Sequence, residues 1–303
     1  MENFRRRSSA PFVAIFILAL IWGYNWVVMK VALTDSPPLF FAALRLLVAA
    51  SVLFPMMVLL HRPLRLPPLP YIIPYGLIQS SAFIGLSLLA LEYGGAGKTA
   101  ILVYMMPIWL MLLAWPLLGE RLHRLQGMAV LLAGLGLLAI LRPWDFHGPW
   151  KAPIFAILAG FSWAVSAIWH KRYAPPGQDM VNATFWQALI GGGVLVVLAA
   201  LTEPARIHWS PEFLLALAYN AIPGTAVAYL LWTFALHRLP SGIAGIATLL
   251  APPVGIVTAW AQLGERPGPW ETAGMAAILA SLALASWQHL RPGDRSTHFP
   301  PQE

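Results

Sequence analysis

The feature that most constrains this chain is a series of apolar runs, each of about 20 residues, separated by short polar breaks. Ten runs can be drawn, at about 11–31, 38–60, 70–91, 97–118, 124–141, 152–171, 181–201, 211–236, 242–263 and 271–289. A helix of this length crosses a hydrocarbon core of roughly 30 Å. Only 10% of the residues are charged, whereas about 25% is usual in globular domains. The sequence therefore predicts an all-α polytopic membrane protein with ten transmembrane helices.

Basic residues are distributed unevenly between the two sides that ten helices would define. Twelve lie in the tails and on alternate loops, and six lie on the opposite loops. Because cytoplasmic loops carry the excess of Lys and Arg, both termini are expected in the cytoplasm and the protein in the cell inner membrane. The net charge of +7 is thus a topology signal, and no nucleic-acid partner is expected. About 20 apolar residues follow Arg5–Arg7, which favours a retained first helix over a cleaved signal peptide.

A short motif, Leu-Gly-Glu-Arg, occurs twice, at 118–121 and 263–266, an offset of 145 residues. The same offset carries Pro107 onto Pro252, and an offset of 141 carries Trp22 onto Trp163. The shared order predicts a five-helix unit duplicated over residues 1–145 and 146–290, with 291–303 as a cytoplasmic tail. Since five is odd, the second copy is expected to enter the membrane from the opposite side. Each Glu-Arg step is itself expected to cap a helix and anchor it at the interface.

Several stretches resemble the drug/metabolite transporter superfamily in its EamA-like, ten-helix branch. They are LIWGYNWVVMK in helix 1, PPLFFAALRLLVAA in helix 2, LLGERLHRLQGMAVLLAGLGLL across helices 4 and 5, and LLAPPVGIVTAWAQLGERPGPWETAGMAAIL in the second half. The resemblance covers nearly the whole chain. It implies two inverted five-helix repeats around a central cavity, and it implies alternating-access export of amino acids, metabolites or drugs. It does not specify the substrate.

Candidate cavity residues lie near the centres of the predicted helices. A tryptophan in mid-membrane needs a polar partner or a wet cavity for its N–H. Trp22 and Trp163 occupy matching positions in the two repeats, so both are expected to face one central cavity. With neighbouring polar and aromatic residues, the expected substrate cavity comprises Trp22, Asn25, Trp26, Gln79, Phe83, Tyr104, Trp163, Ser166, Thr225 and Tyr229. Helix packing is the alternative explanation for each of these residues taken alone.

Three further residues are candidates for a hinge or a gate. Pro107 and Pro252 are expected to kink helices 4 and 9, because proline removes a backbone donor. Close packing is the alternative to a hinge at either proline. Arg45, seven residues into helix 2, is the most deeply placed basic residue. It is expected either to snorkel to the outer interface or to contact a substrate carboxylate at an outer gate.

Acidic residues are confined in the sequence to tails, loops and helix ends. A carboxylate in mid-membrane is the usual proton or cation relay, so this distribution favours uniport and counts against a multidrug antiporter with a central Glu. Phosphorylated substrates would require Lys or Arg near the helix centres, where none is placed. Aromatic or large apolar amino acids are therefore the leading substrates. A drug efflux carrier of the same superfamily is the alternative.

Other functional classes find little support in the sequence. It contains no phosphate-binding loop, no HExxH or GxSxG motif and no His/Asp cluster of metal-site spacing, so no enzymatic activity, cofactor or metal is expected. A channel is a further alternative, which single-channel currents would distinguish from a carrier. The fused duplication favours a monomer whose partners are a small-molecule substrate and the lipid bilayer.

Overall fold

The fold was taken from a computed structural model, which describes residues 10–118, 124–142, 150–228, 231 and 241–287. Within these ranges the chain is helical and forms no strand, which confirms the all-α prediction. The helices are α1 Ala10–Ala32, α2 Pro38–Leu59, α3 Leu69–Tyr75, α4 Phe83–Tyr93, α5 Ala96–Val103, α6 Met106–Leu118, α7 Arg124–Leu141, α8 Lys151–Tyr173, α9 Met180–Thr202, α10 Pro211–Ala221, α11 Ser241–Leu263 and α12 Pro269–Trp287. Two π-helical segments, Gly76–Ala82 and Ile222–Val227, join α3 to α4 and extend α10.

The surface of the bundle is that of a protein solvated by lipid. Five helical stretches of the described chain are long and apolar enough to cross a membrane: Pro38–Leu59, Leu69–Tyr93, Ala96–Leu113, Lys151–Tyr173 and Met180–Thr202. Large apolar side chains are exposed along the outside, among them Leu131, Leu135, Leu201 and Leu215. Lipid tails solvate such a surface, which water would not. The count of ten membrane spans and the inverted repeat stay predictions.

The helices pack closely because small residues stand at their crossings. α2 packs along α9, α1 along α11, α7 along α12, and α8 against α4, α5 and α6. A Cβ added at Gly136 of α7 would come within 2.7 Å of the Gly274 carbonyl oxygen of α12. One added at Gly23 of α1 would come within 2.6 Å of the Ala251 carbonyl oxygen of α11. Close backbone approach through small residues is a usual source of helix association in lipid.

The two prolines that the repeat equates have different effects on their helices. The helical structure is interrupted between Val103, where α5 ends, and Met106, where α6 begins. Pro107 lacks the N–H that would bond the Val103 carbonyl, and this carbonyl lies against α8, where a Cβ on Gly160 would be 2.7 Å away. Pro252, in contrast, lies inside the unbroken α11. The helix is therefore interrupted just before Pro107, whereas α11 continues through Pro252, and the kinks and the hinge role stay predictions.

One end of the bundle, here called the Asp35 end, carries the connections 33–37, 94–95, 203–210 and 264–268. Glu265 lies there and accepts hydrogen bonds from the backbone N–H groups of Ala96 and Gly97, at 2.7 and 3.0 Å. The expectation that this Glu caps a helix is confirmed for Glu265, although the helix that it caps, α5, lies in the other half of the chain. Glu120, the matching residue, is outside the described residues. The positive-inside pattern predicts that the Asp35 end is external.

Candidate functional site

Four aromatic rings from four helical segments meet in the interior and are called here the aromatic cluster: Trp26 of α1, Phe83 of α4, Tyr104 after α5 and Trp163 of α8. The Phe83 and Trp163 rings stack with centroids 5.0 Å apart. Tyr104 contacts Trp163 edge-to-face at 5.7 Å and Trp26 at 6.3 Å. Such pairs stabilise by about 0.5–1.5 kcal/mol beyond their burial. The structure thus brings together four of the predicted cavity residues.

Backbone irregularities position two of these rings. Phe83 follows the π-helical segment Gly76–Ala82, which comes shortly after Pro74. Tyr104 occupies the interruption between α5 and α6. Both irregularities turn a side chain away from the direction that a regular helix would give it, and π segments are frequent at functional sites. Tyr104 and Trp26 are each 5% exposed, whereas Phe83 and Trp163 are half-buried.

Polar contacts tie the π segment to α8 beside the cluster. Ser166 Oγ donates to Gln79 Oε1 and also lies 2.7 Å from the Trp163 carbonyl oxygen. Ser162 Oγ donates to the Ile78 carbonyl oxygen at 3.0 Å. Gln79 and Ser166, both predicted cavity residues, therefore satisfy each other across the helix contact. Their contact orients α8 and with it Trp163.

The second half of the predicted cavity lies along a different segment. Trp22 Nε1 donates to the Gly224 carbonyl oxygen at 3.3 Å, within the π segment Ile222–Val227. Thr225 Oγ1 donates to the Asn220 carbonyl oxygen of its own helical stretch at 2.9 Å. Trp22 and Trp163 therefore contact different segments, and a common cavity for the two stays a prediction. Tyr229 lies outside the described residues.

Arg45 is buried, with 6% of its surface exposed. Within the described residues its guanidinium makes one hydrogen bond, from Nη1 to the Met29 sulfur at 2.7 Å, while Nε has no partner. Both interpretations of Arg45, snorkelling to the outer interface and contact with a substrate at an outer gate, stay predictions. The side chain leaves α2 about 10 Å from the first residue of that helix and reaches Met29, which lies three residues before the end of α1. A thioether is a weak acceptor for such a strong donor.

Two buried amides complete what is called here the polar set, namely Arg45, Asn25 and Asn220. Asn25 is 7% exposed and Asn220 is fully buried, and neither Oδ1 atom has a hydrogen-bond partner among the described residues. Asn25 Oδ1 lies beside the backbone of the second π segment, since a Cβ on Gly224 would be 3.2 Å from it. The sequence analysis missed Asn220. Its position inside an apolar run, three residues before Pro223, was the available signal.

A cleft of about 910 Å³ opens at the Asp35 end, between the loop 33–39, the last turn of α4 and residues 202–208. Asp35 and Glu203 are among its charged lining residues. A hydrogen bond from Ser210 lowers the pKa of Asp35. Burial raises the pKa of Glu203, and two backbone N–H groups at the start of α2, from Leu39 and Phe40, act in the opposite direction. The cleft was not predicted, because loop packing decides it.

The chemistry available in the interior is that of non-covalent binding. The aromatic cluster offers ring faces and edges, and the polar set offers a cationic donor and two amide acceptors. In the part of the chain that the structure describes, no three His, Asp or Glu side chains gather in a way that could hold a metal ion. The arrangement fits a molecule that combines an apolar ring with a small charged group.

Comparison with known proteins identifies relatives over nearly the whole chain. A family model described as "EamA-like transporter family" matches residues 10–142 and again residues 150–287. The chain is 30% identical over 285 residues to the "Probable amino-acid metabolite efflux pump" of Salmonella typhimurium, covering 90% of this chain and 93% of that protein. It is 26% identical over 260 residues to the "Uncharacterized transporter YoaV" of Bacillus subtilis, covering 84% and 89%.

A solved structure described as "Crystal structure of protein" shares the fold, with a TM-score of 0.67 at 19% identity and coverage of 93% of this chain and 99% of that one. The family and the named relatives are transporters, which are not enzymes. Together with the apolar helices, these matches define a multi-pass membrane protein. The chain belongs to the EamA-like transporter family of the drug/metabolite transporter superfamily.

Proposed function

We propose that this protein is an inner-membrane carrier that exports aromatic or large apolar amino acids by alternating access, without a coupled ion. The observation that carries the proposal is the aromatic cluster, in which rings from four helical segments meet in the interior of the bundle. When an aromatic substrate binds, contacts between the cluster's own rings would be replaced by equivalent contacts with the ring of the substrate. The name of the Salmonella relative, an amino-acid metabolite efflux pump, supports the same substrate class.

The proposed architecture is ten helices in two inverted repeats, acting as a monomer with both termini in the cytoplasm. Three observations support it. The family model matches each half of the chain separately. The two π segments begin at Gly76 and Ile222, 146 residues apart, which is close to the offset between the two Leu-Gly-Glu-Arg motifs. Cross-half contacts such as the cap that Glu265 provides for α5 are expected where two halves close around one site.

Single-cysteine labelling tests the inverted arrangement, because the chain contains no cysteine. Cysteines at positions 121 and 266 occupy the same place in the two motifs. Position 121 should react with a membrane-impermeant maleimide from the cytoplasmic side, and position 266 from the external side. Labelling of both positions from one side would contradict the inverted repeat and leave the family assignment intact.

Transport without a coupled ion follows from where the carboxylates lie. Within the described residues, acidic side chains are at helix ends or in connections, as are Asp35, Glu203 and Glu265. None is placed at the centre of a described helix, where a proton relay is usually found. Downhill export should therefore persist when an ionophore collapses the proton gradient. A fixed proton-to-substrate ratio in vesicles would overturn this part of the proposal.

Counterflow in proteoliposomes tests the substrate class. Vesicles loaded with unlabelled L-phenylalanine, L-tryptophan, L-leucine, L-aspartate or a lipophilic cationic drug are assayed for transient uptake of the labelled form of the same compound. We expect saturable counterflow for the aromatic and large apolar amino acids and none for L-aspartate. Counterflow of the drug alone would replace amino-acid export by drug efflux. Conductance without saturation would indicate a channel.

A further inference from the structure

The polar set lowers the stability of the folded protein when no ligand is bound. In the described part of the chain, the buried guanidinium has no carboxylate partner and the two buried amide oxygens have no donors, so each loses hydrogen bonds that water would supply in the unfolded chain. Among the described residues, the only acceptor on Arg45 is the Met29 sulfur. Such groups usually mark a site whose partner is a ligand, because a purely structural role would be filled by apolar side chains at lower cost.

The three groups belong to segments that contact one another. α10 and the π segment after it pack against both α1, which carries Asn25, and α2, which carries Arg45. Met29 links the two sides, since it contacts Arg45 and lies one helical turn from Asn25. The side-chain amide of Asn220 donates a hydrogen bond to the Ala216 carbonyl oxygen at 2.9 Å, while its Oδ1 atom has no donor among the described residues. One cationic donor and two neutral acceptors are thus gathered around α1, α2 and α10.

We propose that the polar set binds the zwitterionic head group of the exported amino acid. The guanidinium of Arg45 receives the carboxylate in place of the Met29 sulfur, because a carboxylate matches its forked donors. The ammonium group donates to the Oδ1 atoms of Asn25 and Asn220. This inference rests on the proposed function and adds to it a requirement for both charged groups on one substrate.

The polar set and the aromatic cluster share α1, which supports the assignment. Asn25 and Trp26 are consecutive residues of α1, so head-group and ring contacts would adjoin along one helix. An amino acid with an aromatic side chain presents the same order, with a charged α-carbon next to a ring. Neutral amide acceptors also suit an ammonium group that must leave again, since a buried carboxylate would hold it more tightly.

Competition between related ligands tests the assignment. Counterflow of labelled L-phenylalanine is measured in phosphatidylcholine vesicles against three unlabelled competitors: L-phenylalanine, L-phenylalaninamide, which lacks the carboxylate, and 3-phenylpropionate, which lacks the ammonium. In the wild type each analogue should be about tenfold weaker or more, as expected for the loss of a charge-assisted hydrogen bond. In Arg45→Gln the ratio between L-phenylalanine and its amide should fall towards one.

The amide variants should change the other ratio. In Asn25→Ala and Asn220→Ala, discrimination against 3-phenylpropionate should fall while discrimination against the amide is kept. Arg45→Lys retains the charge without the fork and should give an intermediate ratio. Arg62→Gln is the matched control, because Arg62 is exposed and paired with Asp179 at 3.0 Å, and both ratios should remain those of the wild type.

Ratios compare two ligands on the same protein, so a partial loss of folded protein does not change them. Where a variant transports too little, the same ratios are taken from ligand-dependent shifts in Tm. If the wild type transports L-phenylalanine and Arg45→Gln still discriminates against the amide as the wild type does, the head-group site is wrong and the proposed function stands. If the wild type transports the drug but no amino acid, the proposed function fails and this site loses its ligand.

Discussion

The aromatic cluster and the polar set share α1, where Trp26 follows Asn25, and differ in how far the protein itself satisfies them. Trp163 stacks on Phe83 and meets Tyr104 edge-to-face, so each ring already has partners. Among the residues that the structure describes, the guanidinium of Arg45 has only a sulfur acceptor, and the Asn25 Oδ1 atom has no donor. The cluster therefore contributes to stability in this state, whereas the polar set reduces it. The difference indicates that the polar set is retained for a ligand.

This comparison predicts opposite effects on stability from substitutions that both impair transport. Removing a ring from the cluster should lower stability and affinity together. Replacing a member of the polar set by an apolar residue should weaken amino-acid binding and leave the fold as stable as before or more so. The following variants test the contrast, from the largest expected effect to the smallest.

Arg45→Met should have the largest effect. The substitution removes an uncompensated buried charge while keeping an unbranched side chain. The free energy of unfolding should therefore equal that of the wild type or exceed it by up to about 1–4 kcal/mol, and Tm should be unchanged or higher. Amino-acid counterflow should be lost. Measurement of Tm and counterflow on the same preparation checks both. A large fall in Tm with unchanged affinity for L-phenylalanine would show that Arg45 is a structural residue.

Trp163→Ala should weaken L-phenylalanine binding about tenfold, because it removes one ring contact. It should also lower stability by about 2 kcal/mol or more, since a cavity opens beside Phe83 and Tyr104. Trp163→Phe keeps a ring and should recover much of both. Trp270→Ala, at a site 54% exposed, is the control and should transport normally. Loss of stability in Trp163→Ala with wild-type affinity would exclude the cluster from the substrate site.

Glu265→Ala removes a polar contact that the protein satisfies by itself. Without the carboxylate, the N–H groups of Ala96 and Gly97 lose their cap, so stability should fall by about 1 kcal/mol. The ratio between L-phenylalanine and its amide should not change. A changed ratio would mean that the α5 terminus takes part in recognition.

The smallest effect concerns pH. Burial raises the pKa of Glu203, so the stability that its protonated form contributes is full below the ordinary carboxyl pKa and is lost as pH rises through the raised pKa. The wild type should lose a little thermal stability across that mildly acidic interval, and Glu203→Gln should not. Glu212→Gln, at an exposed site of α10, is the control and should keep the wild-type slope. Identical slopes in all three proteins would contradict the assignment.

The sequence predicted the helical membrane class because run length and composition decide it directly. It also named the four rings of the aromatic cluster among its ten cavity candidates. It did not distinguish Pro107 from Pro252, because a proline interrupts a helix only where the neighbouring backbone accommodates the freed carbonyl, as Gly160 does at Val103.

The sequence could not predict which atoms of the polar set lack hydrogen-bond partners among the described residues, for a related reason. Depth along a helix can be counted from the sequence, and Arg45 was recognised as the most deeply placed basic residue. Which acceptor its guanidinium meets depends on the rotation of α2 against α1 and α10. Asn220 was missed because a single amide in an apolar run is usually satisfied by a neighbouring helix. Only packing shows that its Oδ1 atom is not.

Substrate protection of a cysteine at position 25 tests the central claim most directly. In the cysteine-free chain, Asn25→Cys places one thiol in the polar set, next in sequence to Trp26, while Arg62→Cys places a control thiol on the surface. The rate of modification by a small cationic methanethiosulfonate is measured with and without saturating L-phenylalanine. We predict that L-phenylalanine slows modification at position 25 several-fold and leaves position 62 unaffected. A thiol at position 25 that never reacts, or that reacts equally fast in both conditions, would contradict the claim that this amide faces the substrate.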